Sequence, residues 1–401
     1  MNRQLRNLIQ TSIVLSACCC GITKAAIEFS GSTGLDWQYF IEEPLLAEQH
    51  DSYLSFSIEP EIHHSWNDEQ SSVLFKPFLR ADQHDDEKTH TDIREFYWQT
   101  VTDDYELRVG ISKVFWGATE SQHLVDIINQ TDLVENFDGE DKLGQPMIKL
   151  SFEKDWGNVD IFILPYFRER TFPGEEGRLR TGLIIDNDLT QYESNDKEKN
   201  TDVALRFFKT IEDWDLGLSY FNGTSRDPLF VPVLNPQNEL VLAPYYEQIQ
   251  QIGLDLTGTV EDWIWKLEVI QRNSKNEDYS ALTGGYEYTF YGVMESALDL
   301  GIVNEYLFDD RDENASTPFQ NDLMLGLRLN FNNEQSTEAL FGFIVDLDNQ
   351  SQLFSIEASQ RFGDNIKAEL EVRLFSNSDS TDLTYSYRDD DHIRLSLSYY
   401  Y

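Results

Sequence analysis

The chain has 401 residues, and 72 Asp and Glu against 31 Lys and Arg leave a formal net charge of −41. That charge argues against nucleic-acid binding, because phosphates are held by Lys and Arg. The 25 Phe, 19 Tyr and 8 Trp are too many for an acidic disordered chain, and beyond the N-terminus no apolar run approaches the ~20 residues that a membrane helix needs. A membrane β-barrel stays open, since it hides its apolar residues in every second position.

Residues 1–25 read as a secretory signal. Arg3 and Arg6 precede a mostly apolar or small stretch from Leu8 to Ile22, and Thr23-Lys24-Ala25 makes a small-residue cleavage site before Ala26. Cleavage there removes Cys18, Cys19 and Cys20, leaving 26–401 without a disulfide or a thiolate metal site. A competing reading takes Leu15-Ser16-Ala17-Cys18 as a bacterial lipobox, with Cys18 a lipidated first residue.

From Ile27 a period-2 alternation begins. Ile27, Phe29, Leu35, Trp37 and Tyr39 share one face, and Glu28, Ser30, Ser32, Asp36 and Gln38 the other. The pattern recurs in Leu54/Phe56/Ile58, Leu107/Val109/Ile111, Ile252/Leu254/Leu256, Leu323 to Phe331 and Ile366 to Leu374. It predicts eighteen strands over 27–40, 53–64, 72–82, 91–101, 105–116, 146–154, 158–168, 201–210, 213–223, 247–259, 262–273, 277–290, 295–307, 320–332, 337–347, 351–362, 365–375 and 390–401. Sixteen is the alternative, because the phase weakens in 91–101 and across 201–223. Most connections after odd-numbered strands are long and those after even-numbered ones short. Loops segregated in this way, with an even strand count, predict an all-β fold: a transmembrane, antiparallel, up-and-down barrel of the outer-membrane type.

In lipid only a closed sheet pairs every backbone N–H and C=O, and about 16–18 strands enclose an aqueous channel unless something fills it. Trp37, Tyr39, Trp214, Trp263, Trp265, Tyr288, Phe290 and Tyr399 sit near predicted strand ends, where amphipathic rings form girdles. In the last strand Ile393, Leu395, Leu397, Tyr399 and Tyr401 share a face. This resembles the assembly signal of bacterial outer-membrane proteins, so barrel-assembly machinery is an expected partner through the strand ending at Tyr401.

The segment 117–145 is the most specific feature. Thr119 and Gln122 have capping-box spacing, and Leu124, Ile127 and Ile128 fall on one helical face. The expectation is a short helix after the fifth strand, folded into the lumen as a constriction, because Ile127 and Ile128 need a buried partner. Arg108-Val109-Gly110, Val114-Phe115-Trp116-Gly117 and Asp126 to Leu133 resemble an uncharacterised family of proteobacterial porin-like barrels. There a strand ending in Trp-Gly precedes an Asn-Pro-x-Asp loop; here the loop reads Asn129-Gln130-Thr131-Asp132. The resemblance implies an outer-membrane location and transport, with no defined substrate.

Candidate pore-lining or constriction residues are Arg80, Arg108, Lys113, Gln122, His123, Asp126, Asn129, Asp132, Arg168, Arg206, Arg328 and Arg373. Inward Asp36, Asp160, Asp255, Glu268, Glu287, Asp322, Glu369 and Glu371 offset the cations, as a wall of mutually paired charges also would. The acidic loops Asp85-Asp86-Glu87, Asp309 to Glu313 and Asp389-Asp390-Asp391 suit loose divalent bridging to lipopolysaccharide or a plainly acidic surface. Asp310, Asp312 and Asn314 have part of a calcium-loop spacing, but Ala315 replaces the needed Gly and Asn321 the bidentate Glu. No metal or cofactor is expected. The apolar loop 224–246, with Leu229-Phe230-Val231 and Leu240 to Ala243, is expected to pack inside the mouth. None of the seven His lies in a nucleophile motif, so no enzyme is expected. The expected function is passage of small polar or charged solutes through a water-filled lumen narrowed by 117–145. The alternative is a plugged barrel acting as a surface receptor, adhesin or structural partner. Porin-like barrels are often trimers, and a homotrimer is the expected assembly if one forms, though no segment identifies an interface.

Overall fold

A strand with one apolar face has to turn that face towards lipid or towards another layer. Here the apolar faces turn outward around a closed cylinder. The structure is a computed structural model that describes residues 27–401, so the signal-peptide and Cys18 readings lie outside the described residues.

In chain order the strands are β1 (Ile27–Phe40), β2 (Ser52–Trp66), β3 (Ser71–Asp82), β4 (His90–Val101), β5 (Glu106–Ser112), β6 (Gln145–Lys154), β7 (Gly157–Leu164), β8 (Gln191–Tyr192), β9 (Asp202–Ile211), β10 (Trp214–Thr224) and β11 (Leu229–Leu234). They continue as β12 (Leu240–Tyr246), β13 (Gln248–Val260), β14 (Trp263–Asn273), β15 (Asp278–Phe290), β16 (Asp299–Asp309), β17 (Asn321–Asn330), β18 (Glu338–Asp346), β19 (Gln352–Phe362), β20 (Ile366–Ser376) and β21 (His392–Tyr400). Strands β8, β11 and β12 make a small separate sheet, so the apolar loop 224–246 carries a hairpin. The other eighteen form one antiparallel sheet, closed where Ser32 faces Tyr400 and Phe40 faces His392.

The eighteen expected strands are all present. The fifth stops at Ser112 instead of 116 and the seventh at Leu164 instead of 168. After Ser112 the backbone leaves the wall: Val114 N–H donates to the Asn129 side chain (2.9 Å) and Trp116 N–H to Asp126 (3.3 Å). The strand expected from 295 starts at Asp299, because Gly292 and Met294 adopt left-handed backbone in a turn before it.

Leu35, Leu54, Phe56, Leu325, Leu327, Leu395 and Leu397 are exposed on the outside, while Arg80, Glu268, Glu305 and Arg373 are buried on the inside. A band of exposed Leu and Phe around a closed sheet is the surface that lipid requires. Trp263 stacks on Trp265 at the short-turn end, with Tyr286 and Tyr288 packed against them at an angle, and Trp37 stacks on Tyr39 at the other end, which places rings at both rims.

Leu325 lies mid-strand on the lipid face. Leu325→Arg is expected to lower folding stability in lipid vesicles by about 2–4 kcal/mol. Denaturant titration of tryptophan fluorescence measures it, and an unchanged midpoint contradicts the lipid-facing assignment.

Candidate functional site

Residues 113–144, between β5 and β6, turn into the barrel and cross it. Backbone amides taken into the lumen need acceptors, and two carboxylates of the far wall provide them. Glu268 on β14 accepts from the N–H groups of Ala118 (2.7 Å), Thr119 (3.1 Å) and Val125 (3.1 Å). Glu305 on β16 accepts from the N–H groups of Glu120 (2.8 Å) and Ser121 (2.9 Å) and from the Ser121 hydroxyl (2.6 Å). At the other side of the lumen Arg80 Nε donates to both oxygens of Glu135 (3.0 and 2.9 Å) while its Nη1 holds Asp36 (2.6 Å). Asn136 Nδ2 donates to Glu371 on β20 (3.1 Å).

The expected helix over 117–145 is absent. The amides of 118–121 and 125, which a helix would pair along itself, are donated to Glu268 and Glu305. The Thr119 hydroxyl lies between Glu268 (2.9 Å) and the Gln122 carbonyl (2.5 Å) and caps nothing. What survives are two isolated turns, in which Asp126 N–H donates to His123 O (3.3 Å) and Glu135 N–H to Asp132 O (3.2 Å).

The inward burial is as expected from Ile127 and Ile128, but its surroundings differ from the expected polar wall. Val125, Ile127 and Ile128 pack with Trp116, Met147, Phe162, Leu164, Ala204, Phe221, Ile249, Ile270, Tyr279 and Ala281. Where the loop meets β6 to β15 the contact is therefore apolar. The arginines near it are paired with carboxylates: Arg206 with Asp255 (2.8 Å), Arg226 with Asp202 (2.7 Å) and Arg272 with Asp227 (2.9 Å).

Space remains around the loop on several sides. A cavity of about 500 Å³ lies between the loop and the wall from β17 to β21, reaching the short-turn end. A second, of about 250 Å³, lies on the long-loop side, and Asp138 lines both. A third, of about 730 Å³, opens beneath Trp116 towards the short turns.

The sequence-derived candidates separate into groups. Asn129 holds the neck of the loop: its Oδ1 accepts from Val114 N–H, and its Nδ2 donates to the carbonyls of Ser112 (2.9 Å) and Leu143 (2.8 Å). Asp132 accepts from Arg94 and from the Thr171 hydroxyl (2.6 Å). Asp126 takes Trp116 N–H and sits 3.3 Å from Lys142 Nζ; burial pushes its carboxyl above the usual range against that pairing. These three residues and Arg80 build the loop. Arg108 donates to Gln99 (2.9 Å) and Ser112 (3.1 Å) on the β4–β5 wall. The backbone N–H of Lys113 is 3.4 Å from Glu95, and Gln122 donates to Thr317 (3.3 Å). Arg328 lines the 500 Å³ cavity and reaches Glu120 (2.7 Å) and Glu287 (3.2 Å). Arg373 pairs with Glu357 (2.5 Å) and lies 3.7 Å from Asp138. Burial pulls the His123 imidazole down, but hydrogen bonding with Glu140 (3.0 Å) and the nearby Glu268 carboxylate outweigh it and push it up to about 10. His123 is therefore cationic at neutral pH.

Arg168 lies beyond the end of β7. It donates to Asp92 (2.9 Å) and to Gly144 O (2.9 Å) behind a notch in the outer wall lined by Ile58, Pro60, Pro77, Ile93, Pro146 and Tyr166. Glu268, Glu305, Glu135, Arg94 and Asp138, which organise the lumen, were not among the candidates. The strand phase put Glu268 on the inner face; nothing local in the sequence tells which loop it meets.

Glu268→Ala is expected to free the loop. Stability falls by about 1–3 kcal/mol for each amide left unpaired, and single-channel conductance in planar bilayers rises. Unchanged conductance with unchanged stability contradicts the anchoring role.

No family model and no curated protein matches the chain. Among solved structures it is similar to OccK11 of Pseudomonas aeruginosa, at 9% identity and a TM-score of 0.55, over 93% of this chain and 95% of that one. It is also similar to Wzi of Escherichia coli, described as an outer-membrane, carbohydrate-binding β-barrel involved in group 1 capsule assembly. That likeness has 10% identity and a TM-score of 0.53, over 91% of this chain and 83% of Wzi. At these identities the likeness is one of fold: a large closed β-barrel.

Proposed function

We propose that this protein is an outer-membrane channel passing small hydrophilic solutes, cations in preference to anions, along the β17–β21 side of its lumen. One observation carries this reading. The 500 Å³ cavity is lined by Glu120, Asp138, Asp141, Glu338, Glu357, Glu369 and Glu371 against Arg328, Lys367 and Arg394. Arg373 behind them leaves the excess negative. Charged linings of one sign set ion preference, and Arg206, Arg226 and Arg272 on the apolar side of the loop are paired with carboxylates. In this reading the residues 1–25 direct export, the long loops face outward, and lipid and lipopolysaccharide surround the exposed apolar band. The Trp116-Gly117 and Asn129-x-x-Asp132 features support kinship with the porin-like barrels they resemble. Arg328, Arg373, Gln122 and His123 belong to the solute path, whereas Asn129, Asp132 and Arg80 act by holding the loop that narrows it.

The test is a reversal potential in planar bilayers under a KCl gradient. The expected sign is that of a cation-preferring pore. Anion preference overturns the reading. Absence of conductance steps favours the plugged barrel, for which the apolar cluster around Ile127 and Ile128 is the supporting observation.

Asp138 adds a pH dependence. Its side chain is 22% exposed and lines the cavities on both sides of the loop. Burial, with Glu371 adding to it, raises its carboxyl to about 7. Below that pH the group is neutral, and above it Asp138 is charged beside the cation route. Cation preference is expected to rise between about pH 6 and 8, as the Asp138 carboxyl loses its proton, and to lose the step in Asp138→Asn. A step unaltered in the variant assigns it elsewhere.

A further inference from the structure

Two groups of metal-ligating side chains occur among the described residues. One, His90, Asp132 and Glu135, lies in the lumen, and its carboxylates are already held by Arg80, Arg94 and Thr171. The cationic partners are side chains, and no ion is needed there. The other group has no such competitor. We propose that His50, His84 and Glu176 form a surface site for a divalent transition-metal ion of the Zn²⁺ class, tying together three loops at the long-loop end of the barrel.

The residues come from the connections after β1, β3 and β7. One ligand atom from each lies within 4.8 Å of the others. His50 Nε2 is 3.3 Å from Glu176 Oε2. Two ligands of a tetrahedral zinc ion, each roughly 2.0–2.1 Å from the metal, stand about the same distance apart. The His50 and His84 rings are stacked with centroids 3.6 Å apart and planes at 19°. Binding one ion requires these half-exposed rings to turn about their Cβ–Cγ bonds until their nitrogens converge.

The backbone around the ligands is already fixed, which distinguishes this cluster from a chance surface contact. His50 N–H donates to the Tyr53 hydroxyl (3.1 Å), and that hydroxyl donates to the Glu176 carbonyl (2.5 Å). Gln49 Nε2 donates to Gly177 O (2.8 Å). His84 N–H donates to Asp82 Oδ1 (3.0 Å), and Asp85 accepts from Gly174 N–H (3.0 Å). The Tyr53 ring meets both imidazoles edge-on. These bonds hold the three loops in place, so that only side-chain rotation is needed to bring the ligand atoms together. Two imidazoles and one carboxylate suit Zn²⁺, with a position left for water.

The experiment is Zn²⁺ titration of the full-length protein in detergent after chelator treatment, followed by calorimetry, with Co²⁺ absorption as a report on coordination. One equivalent is expected to bind and to raise the melting temperature. His84→Ala and Glu176→Gln are each expected to weaken binding roughly tenfold or more. His63→Ala, on β2, should bind as the native chain does. Melting without metal establishes that each variant folds. No saturable uptake by the native protein overturns the proposal. Uptake equally strong in the His50→Ala/His84→Ala double variant also overturns it, since that is diffuse binding by surface acids.

Discussion

The interior of this barrel is organised by the need of displaced backbone amides for acceptors. A loop that leaves the wall and enters the lumen carries N–H groups away from strand partners and away from bulk water. Glu268 and Glu305 supply charged acceptors for five of them, at Ala118, Thr119, Glu120, Ser121 and Val125. Hydrogen bonds to an ionised carboxylate are roughly twice as strong as neutral ones. They fix the loop in an open path across the lumen and set it against the far wall. Val125, Ile127 and Ile128 are then pressed onto apolar side chains of β6 to β15, where burial adds to the anchoring.

That placement divides the lumen. Around Val125, Ile127 and Ile128 the contact is apolar, and the arginines near it are paired by Asp202, Asp227 and Asp255. On the other side the loop meets the wall through charged side chains, as in Arg80–Glu135 and Asn136–Glu371, and leaves space lined by carboxylates. The 500 Å³ space on that side is lined with an excess of carboxylates. The shape and lining of that space follow from where Glu268 and Glu305 draw the loop.

The barrel was legible because its information is local and repeated. Each strand announces its own two faces, and segregation of loop lengths gives the closure. The inward turn of 117–145 was legible from Ile127 and Ile128, which had no place in water. The helix was misjudged because Thr119 and Gln122 signal a cap only if no stronger acceptor competes, and Glu268 arrives from far along the chain. Phase puts Arg80, Arg206, Arg328 and Arg373 on the inner face, but it is silent on whether an arginine there meets water or a carboxylate. Arg168 was misplaced because alternation was extended past Leu164, where the strand has ended. The apolar contact was missed because a lumen was assumed to be uniformly wet.

The same inward turn shapes the outer wall. With β5 ending at Ser112, its pairing with β4 begins only at Phe96, and His90 to Glu95 lose their neighbour on that side. Pro60 and Pro77, which have no N–H to donate, interrupt the adjoining β2–β3 ladder. Gly144, where the loop returns, runs so close to the carbonyls of Ile93 and Arg94 that a Cβ would collide with them. Arg168 closes the gap by donating to Gly144 O and to Asp92. A barrel that folds a loop inward thus weakens its own wall beside it. The Arg168–Asp92 pair is the repair that such a wall requires, which explains why a cation stands at that gap.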